Sequence, residues 1–244
     1  MPREFVDSIN PKLESQLLLC LQTARQLGFS EIWISNPKKS ERAIIRKTSF
    51  SNLIRTYKRL DLGLNQESRE EMMSILRQQR RVFPIVSITC FNPELAAWAA
   101  QDNRVDILKF PTFQIGQLMT RSVAKLMIKF HKLLEVPLSE LYSLPERQQI
   151  SAFRQTQSAL RIASYKKVPI ILSSGSSRAD QMRSPHELVS LGQILSADSV
   201  MSLDSLSLIP QRLIQQNLLK ISPNYITPGV FKITNTPNTK EEEE

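Results

Sequence analysis

The amino-acid sequence predicts an α/β protein: a TIM-like (βα) barrel of seven or eight units over residues 1–220. A disordered tail rich in Pro, Asn and Thr and ending in four Glu is predicted over residues 221–244. Short apolar runs begin every 20 to 35 residues, and helical spacing of apolar side chains follows each, which indicates repeated right-handed βα units. The sequence also lacks the Gly-x-Gly fingerprint of dinucleotide-binding sheets. A barrel is therefore favoured over the alternative, an open doubly wound sheet.

The strands are predicted from short runs rich in β-branched residues that end at polar or turn residues. The clearest run, Val168–Gly175, has two consecutive isoleucines and closes on Ser-Ser-Gly, which is typical of a parallel strand buried on both faces. The segment Ser199–Leu203 fits an eighth strand and a helix equally well. The seven predicted strands are Phe5–Asp7, Glu31–Ser35, Leu53–Tyr57, Val82–Thr89, Val105–Phe110, Leu133–Leu138 and Val168–Gly175.

The helices are predicted from cap residues and from apolar side chains at helical spacing. Asn10-Pro11 and Asn92-Pro93 each place a capping residue before a proline, which fits the first helical position. Two further segments, starting at Ser143 and at Ser184, have a Glu three residues on and so form capping boxes. The predicted helices run from Pro11 to Gly28, over 67–80, over 93–101, from Ser143 to about Lys166 with Ile150, Phe153, Leu160 and Ala163 buried, and onward from Pro185.

Positive charge dominates the chain. It has 32 Lys and Arg against 23 Asp and Glu, and four of those acids are the terminal Glu241–Glu244, so residues 1–240 carry 32 − 19 = +13. Such a balance favours a polyanionic partner. The densest basic segment, residues 37–59, is interleaved with Phe50 and Tyr57, and this combination suits RNA because cations meet phosphates while rings stack on unpaired bases.

The candidate RNA-binding residues come from that segment and from the loop before Pro185, where α/β folds bind phosphate. The alternative is that these side chains are solvated surface charges. Arg183 has a further alternative, a bond to a core carboxylate such as Asp106. The candidates are Lys38, Lys39, Arg42, Arg46, Lys47, Arg55, Lys58, Arg59, Arg178 and Arg183.

Residues for catalysis are scarce at the predicted strand ends, where barrel enzymes place them. The chain has two histidines, His131 and His186, which are best explained as surface and capping residues. A metal-dependent hydrolase gathers several His and carboxylates around its ions. We therefore predict no catalytic residue and no metal site in this chain. The residues at the predicted strand ends are Asp7, Ser35, Cys90, Lys109, Ser173 and Ser174.

The two cysteines, Cys20 and Cys90, form neither a disulfide framework nor a zinc pattern, so we expect buried, reduced thiols in a cytoplasmic protein. The first residues lack the apolar core of a signal peptide. The longest uncharged apolar run, Leu17–Leu21, is too short to span a bilayer. We expect no membrane partner.

Four segments, in their order and spacing, resemble archaeal ribonuclease P protein component 3, a family related to the eukaryotic ribonuclease P 30-kDa subunit. The resemblance covers about residues 1–220 and implies a TIM-like barrel related to the PHP metallohydrolases but without their histidine cluster. The sequence departs from the family at Ser176, where alanine is commoner, and in its acidic tail. The four segments are Phe5–Asp7, Arg104–Phe110, Val168–Gly175 and Met182–Pro185 with the Leu-rich helix that follows.

The function that the resemblance implies is that of a ribonuclease P subunit, which binds and stabilises the catalytic RNA for removal of 5′ leaders from tRNA precursors. The endoribonuclease chemistry would then belong to the RNA and its Mg²⁺, and this chain would be non-catalytic alone and bind no cofactor. The implied partners are ribonuclease P RNA, the small ferredoxin-like protein subunit and other ribonuclease P proteins. Two alternatives are an independent metal-dependent barrel hydrolase of the PHP or amidohydrolase type and a generic protein-interaction barrel.

Overall fold

Seven parallel strands form one sheet, in which each strand pairs with the next along the chain. Parallel neighbours need crossover connections, and helices supply them on the outside of the sheet. The computed structural model describes residues 3–38, 40–41, 44–45, 54–63, 67–196, 203–227 and 230–232. The strands are β1 Val6–Ile9, β2 Glu31–Ser35, β3 Arg55–Leu62, β4 Ile85–Thr89, β5 Ile107–Lys109, β6 Leu133–Pro137 and β7 Ile170–Ser173.

Helices lie between successive strands, except that between β2 and β3 much of the connection lies outside the described residues. A short 3₁₀ turn at Ala179–Gln181 lies between β7 and the next helix, and a two-stranded antiparallel pair, β8 Tyr225–Thr227 and β9 Val230–Phe231, follows the last helix. The helices are α1 Glu14–Gln26, α2 Arg69–Gln79, α3 Pro93–Gln101, α4 Ile115–Leu118, α5 Arg121–Lys129, α6 Ser139–Tyr142, α7 Glu146–Lys166, α8 Pro185–Ser196 and α9 Leu208–Ile221.

The sheet is nearly closed between β7 and β1 by loop and turn backbone. At the carboxyl end of the strands, the N–H of Gly175 donates to the carbonyl of Ser8 at 3.0 Å. At the opposite end, the N–H of Val6 donates to the carbonyl of Leu206 at 2.8 Å. The chain around Leu206 therefore occupies the gap in which an eighth strand would lie.

The eighth strand proposed at Ser199–Leu203 is only partly covered by the structure. Residues 199–202 lie outside the described residues, and residues 203–205 are helical.

Gly175 occupies a position that only glycine fits. Its φ is +64°, in the left-handed region, and a Cβ built there would lie 2.6 Å from the Cβ of Pro137 at the end of β6. The turn that follows β7 can therefore pass close to β6 and return to β1.

Apolar side chains fill the amino-terminal half of the barrel interior, and α9 closes that end. The interior side chains are Val6, Trp33, Ile85, Ile107, Leu133 and Ile171 from the strands with Leu213 and Ile214 from α9. A second, larger apolar layer lies between the outward faces of the strands and the helices. Because the strands are covered on both faces, most read as continuous apolar runs, as expected for a parallel sheet.

The strand predictions are confirmed for β2 and, in its apolar part, for β7, and they differ most at β3. The predicted strand Leu53–Tyr57 was wrong at its end, since β3 continues to Leu62 through Arg59 and Asp61. These charged side chains lie inside the barrel, so the sequence pattern there does not look like a buried strand. The predictions for β1, β4, β5 and β6 differ from the observed bounds by a few residues at one or both ends.

The helix predictions are confirmed where a side chain caps the first turn. At α8 the N–H of Ser184 donates to Glu187 Oε2 at 2.7 Å and the N–H of Glu187 donates to Ser184 Oγ at 3.3 Å, which is the capping box. At α3 the Oδ1 of Asn92 accepts from the N–H of Leu95 at 2.7 Å. Gly28 follows the end of α1 with φ +90°, as its stop signal predicted.

Two predicted helix starts were wrong. α1 begins at Glu14 rather than at Pro11, because the N–H of Asn10 donates to the carbonyl of Ser176 across the barrel rim and the helix has no side-chain cap. α7 begins at Glu146 after Pro145 and has no side-chain cap, and Ser143 instead ends α6. Ile150, predicted to be buried, is 62% exposed.

The end of the described chain has regular structure where none was expected. α9 continues to Ile221, and β8 pairs with β9. Residues 233–244, which include the terminal Glu run, lie outside the described residues. Within the described residues, no helix has both the length and the apolar character that crossing a membrane requires.

Candidate functional site

A cluster of charged side chains fills the barrel interior above the apolar layer, towards the carboxyl ends of the strands. Alternate strand residues point to the same face, so Arg59 and Asp61 of β3 both project inward. Arg59 Nε donates to Asp61 Oδ1 at 2.7 Å, and Arg59 Nη1 donates to Glu135 Oε1 at 2.9 Å. The second nitrogen, Nη2, also donates to Glu135. We name this set the interior cluster: Arg59, Asp61, Lys109 and Glu135, with Ser8 and Ser173.

The remaining members complete the hydrogen bonding of the cluster. Ser8 Oγ accepts from Arg59 at 2.9 Å, and Ser173 Oγ donates to Glu135 at 2.7 Å. Lys109 Nζ lies 3.4 Å from Asp61 Oδ2. The cluster therefore joins β1, β3, β5, β6 and β7 through side chains, and its two cations balance its two carboxylates.

The electrostatics of the cluster favour the charged form of every member for which a shift is resolved. Burial alone would raise the pKa of Asp61, but the Arg59 and Lys109 cations hold it well below its usual range. The same cations lower the pKa of Glu135 against the opposing effect of burial. Burial disfavours the Arg59 cation, yet Asp61 and Glu135 raise its pKa further above neutrality. Arg59 is thus a permanent cation held between two carboxylates.

This arrangement encloses the charged groups inside the barrel and pairs them with one another. The Arg59 side chain is fully buried, and both of its acidic partners are almost fully buried. In the described part of the chain, no three or more His, Cys, Asp or Glu side chains are grouped so as to hold a metal ion. The two carboxylates of the interior cluster, Asp61 and Glu135, are paired with cations of the same chain.

Asp7 forms a second buried polar contact, where β1 meets the segment after β7. Its carboxylate accepts from the N–H of Ser174 at 2.6 Å, from Ser174 Oγ at 2.6 Å and from the N–H of Ser8 at 2.8 Å. Burial nevertheless raises the pKa of Asp7 to about 6, against the lowering effect of these hydrogen bonds. Asp7 therefore helps to close the barrel.

The two cysteines are buried and the two histidines are exposed. Cys20 and Cys90 are buried and unpaired, and burial raises the pKa of both thiols, to about 11 for Cys20. Such thiols are poor nucleophiles. His131 is exposed in the turn after α5, and His186 is exposed at the second position of α8, where its ring meets the edge of Phe5.

Arg59 must be removed from the predicted RNA-binding residues. It was grouped with its basic neighbours in the sequence, but it points into the barrel and is 0% exposed, so a phosphate cannot reach it. Its partners Asp61 and Glu135 were not among the predicted site residues. The available signal was charged residues at alternate positions of a strand, at Arg59 and Asp61, next to the apolar pair Leu60 and Leu62.

The other described candidates of the basic segment lie at the surface or partly buried. Arg55 is half exposed and forms ion pairs with Glu4 and, at 3.7 Å, with Glu31. Lys38 is exposed, and its Nζ donates to the carbonyl of Lys12 at 3.3 Å. Lys58 lies in β3 and is partly buried. The remaining candidates of this segment, which lie outside the described residues, are Lys39, Arg42, Arg46 and Lys47.

The two arginines of the loop after β7 differ from each other. Arg178 is exposed and pairs with Asp180 at 2.9 Å. Arg183 lies with its guanidinium carbon 5.0 Å from the centre of the Tyr142 ring and donates to the carbonyls of Asp180 and Met182. It does not bond Asp106, which pairs instead with Arg80 at 3.0 Å.

The sequence has a family match and distant relatives over nearly the whole barrel. Residues 5–222 match the family model described as RNase P subunit p30. The chain is 21% identical over 210 residues to ribonuclease P protein component 3 of Methanosarcina mazei, with 85% of each chain covered. It is 23% identical over 208 residues to the protein of the same name from Methanosarcina acetivorans, with 84% of each chain covered.

Solved structures with the same fold include RNA-bound and hydrolase proteins. A chain in a cryo-EM structure of archaeal ribonuclease P with mature tRNA matches with a TM-score of 0.75 and 16% identity, covering 98% of this chain and 100% of that one. A putative prolidase from Bifidobacterium longum matches with a TM-score of 0.65 and 10% identity, covering 88% and 70%. At these identities the matches show the barrel fold alone.

Proposed function

The chain belongs to the RNase P subunit p30 family, and we propose that it acts in ribonuclease P as a non-catalytic subunit that binds and stabilises the catalytic RNA. Ribonuclease P is an endoribonuclease that removes the 5′ leader of tRNA precursors, so the chain serves tRNA 5′ processing. The observation that carries this proposal is the family match over residues 5–222, which includes every strand of the barrel.

The interior cluster explains how a barrel shared with hydrolases serves a structural role. A buried arginine between two carboxylates occupies the region where a barrel enzyme places its reacting groups. Replacing that region by paired charges yields a rigid scaffold, because a buried ion pair tolerates little movement of either partner. The surface of the barrel, and not its interior, then contacts the other components.

In the proposed holoenzyme, the RNA and the protein chain therefore have different roles. The RNA and its Mg²⁺ perform the hydrolysis, while this chain reduces phosphate repulsion and supports a small ferredoxin-like protein subunit and other ribonuclease P proteins. A cytoplasmic site of action is part of the same proposal.

The basic segment and the loop after β7 are proposed RNA contacts, with Arg59 excluded. Arg178 is exposed at the carboxyl end of the barrel, where a phosphate has access to its guanidinium. Arg183 is the weaker candidate, because its guanidinium is already engaged with Tyr142 and two carbonyls. The proposed contacts are Lys38, Lys39, Arg42, Arg46, Lys47, Arg55, Lys58, Arg178 and Arg183.

Reconstitution of tRNA-precursor cleavage tests the proposal. Ribonuclease P RNA and the other protein subunits are assembled with and without this chain, and 5′ leader removal is measured at fixed Mg²⁺. We expect the chain to raise cleavage, to have no nuclease activity alone, and to carry no stoichiometric metal. Equal cleavage with and without the chain would overturn the proposal, and near-stoichiometric zinc or manganese together with hydrolase activity would favour the enzyme alternative.

A further inference from the structure

The helical layer of the barrel carries its positive charge unevenly. α5 and α7 together hold seven Lys and Arg against one acid, Glu146, whereas α2 and α3 together hold two Arg against three Glu. α5 and α7 pack against each other. The excess charge therefore lies on adjoining surfaces of one side of the barrel.

On α7 the cations form a straight row along the outermost ridge. Arg147, Arg154 and Arg161 are seven residues apart, which is about 20° short of two helical turns and about 10 Å along the axis. All three are exposed. They lie on the face opposite the buried side of the helix, which consists of Ala152, Thr156, Ala159, Leu160 and Ala163.

On α5 a second row of cations also lies on the solvent-exposed face of its helix. Arg121, Lys125 and Lys129 are four residues apart and exposed, opposite the buried side chains Val123, Ala124 and Met127. Neighbouring helices in packed layers lie about 8–10 Å apart, so the two rows are close enough for their fields to add at ordinary salt. We name these six residues the α5–α7 face: Arg121, Lys125, Lys129, Arg147, Arg154 and Arg161.

Apart from Lys129, whose Nζ lies 5.4 Å from the centre of the Phe130 ring, these charges are not paired within the described structure. None of the ion pairs among the described residues includes a member of the α5–α7 face. Arg121 is the first residue of α5 and Arg147 the second residue of α7, and a cation in the first turn opposes the helix dipole, which favours acids there. These two positions are thus unfavourable for their helices, whereas Lys129, in the last turn of α5, suits the helix dipole.

An exposed aromatic side chain continues the α7 row. Tyr165, one turn after Arg161, is 75% exposed, and Lys166 Nζ lies 4.8 Å from the centre of its ring. An exposed tyrosine beside a row of cations provides a surface on which a base or a ribose stacks, while the cations meet phosphates.

We propose that the α5–α7 face binds the phosphodiester backbone of structured RNA. The inference rests on the proposed function and deepens it, because it gives this chain an RNA-binding surface on the β5–β6 side of the barrel, apart from the basic segment between β2 and β3. An extended row of cations with almost no acids suits a regularly charged, extended polyanion. Arginine also matches phosphate oxygens with two parallel hydrogen bonds.

The test compares two double variants with the same loss of charge. Arg154→Gln with Arg161→Gln alters the α5–α7 face, and Arg25→Gln with Arg77→Gln removes two exposed helical arginines of α1 and α2 that also form no ion pair in the described structure. Glutamine keeps the helix propensity of arginine, so melting temperatures should match the wild type. Affinity for ribonuclease P RNA is measured from about 50 to 300 mM salt.

We expect the first pair to weaken binding by about tenfold or more and to reduce the slope of log K against log salt by about 1.4 to 1.8, the value for two lost phosphate contacts. The control pair should leave the slope unchanged. Equal slopes for the two variants would overturn the inference, as would a wild-type chain without salt-dependent affinity for the RNA.

Cleavage by the reconstituted holoenzyme separates this inference from the function on which it rests. If the wild-type chain stimulates cleavage and the α5–α7 pair behaves like the control pair in RNA binding, the function stands and the inference fails. If the α5–α7 pair lowers cleavage at unchanged RNA affinity, the face binds a protein partner and the RNA inference fails. If the wild-type chain does not stimulate cleavage, the proposed function itself fails.

Discussion

The interior cluster and the α5–α7 face contain cations in opposite settings. Inside the barrel, Arg59 and Lys109 are balanced by Asp61 and Glu135 at hydrogen-bond or ion-pair distance, and of the four only Lys109 is in part exposed to solvent. On the α5–α7 face, six cations lie in water with one acid on the two helices. A buried charge without a partner destabilises a protein strongly, whereas an exposed one costs little. The interior cations are therefore constrained by the fold, and the outer cations are available for a partner.

The largest effect is expected from breaking the interior cluster. Arg59→Ala leaves Asp61 and Glu135 buried without their main cation, and we expect the free energy of unfolding to fall by about 3–5 kcal/mol. Arg154→Ala, on the α5–α7 face, should change it by no more than about 0.5 kcal/mol. Urea denaturation of both variants measures the difference.

A triple variant shows where that loss comes from. Arg59→Met combined with Asp61→Asn and Glu135→Gln removes the two unpaired carboxylates and leaves Lys109, 15% exposed, as the one charge of the cluster, so it should recover part of the stability. Similar losses of unfolding free energy for Arg59→Ala and Arg154→Ala would show that charges of the interior cluster and of the α5–α7 face contribute alike to stability.

The next prediction concerns the effect of pH on stability through Asp7. Because Asp7 is buried, its titration should affect folding in a way that the exposed charges do not. Burial raises the pKa of Asp7 to about 6 from its usual value of 3.8, so the folded protein holds an extra proton between those values. Its contribution to stability is complete below about pH 4 and is lost as the pH rises through 6.

Comparing the stability of the wild type with that of Asp7→Asn isolates the contribution of the Asp7 carboxyl group. Between about pH 4.5 and 7.5 the wild type should lose about 2 kcal/mol relative to Asp7→Asn. The free energy of unfolding of both proteins, measured across this range, checks the sign. A wild type that gains stability over the variant as the pH rises would mean that the Ser8 and Ser174 hydrogen bonds keep the carboxylate ionised.

A smaller loss of stability is expected from a variant that weakens α5 without changing its charge. Thr120 caps α5 by accepting from the N–H of Val123 at 3.2 Å, and Thr120→Ala should cost about 0.5–2 kcal/mol. Because no cation changes, the salt dependence of RNA binding should be that of the wild type at temperatures where the variant is folded. A flatter salt slope in this variant would show that the RNA experiments report on helix stability.

The smallest effect is expected for the exposed pair Arg178 and Asp180. Both side chains are more than 60% exposed, and such pairs contribute little because solvent screens them. A double-mutant cycle with Arg178→Ala and Asp180→Ala should give a coupling energy below about 0.5 kcal/mol. The same cycle applied to Arg59 and Asp61 should give a clearly larger value, and equal values would contradict the contrast between exposed and buried pairs.

Local signals in the sequence predicted much of the fold because they act over a few residues. The capping box from Ser184 to Glu187, the Asn92 cap and the stop at Gly28 all involve contacts within one helical turn or a single backbone conformation. The strand at Glu31–Ser35 was predicted because its buried positions are mostly apolar. The number of βα units followed from the spacing of such runs.

The candidate site was harder to predict, because its residues come from distant parts of the chain. Lys38 and Arg178 were placed at the surface, as their charge suggested. Arg59 was assigned to the same surface because the residues beside it in sequence are basic, but Glu135, 76 residues away, holds it inside.

The sequence by itself determined the alternation of strands and helices and the excess of positive charge, since these follow from composition and from periodicity along single segments. Only the tertiary structure decided that Leu206 closes the barrel, that β3 continues through Arg59 and Asp61, and that the rows of α5 and α7 adjoin. The physical reason is that a charged residue is stable inside a protein only when a partner from elsewhere in the chain meets it, and nothing in the local sequence records that partner.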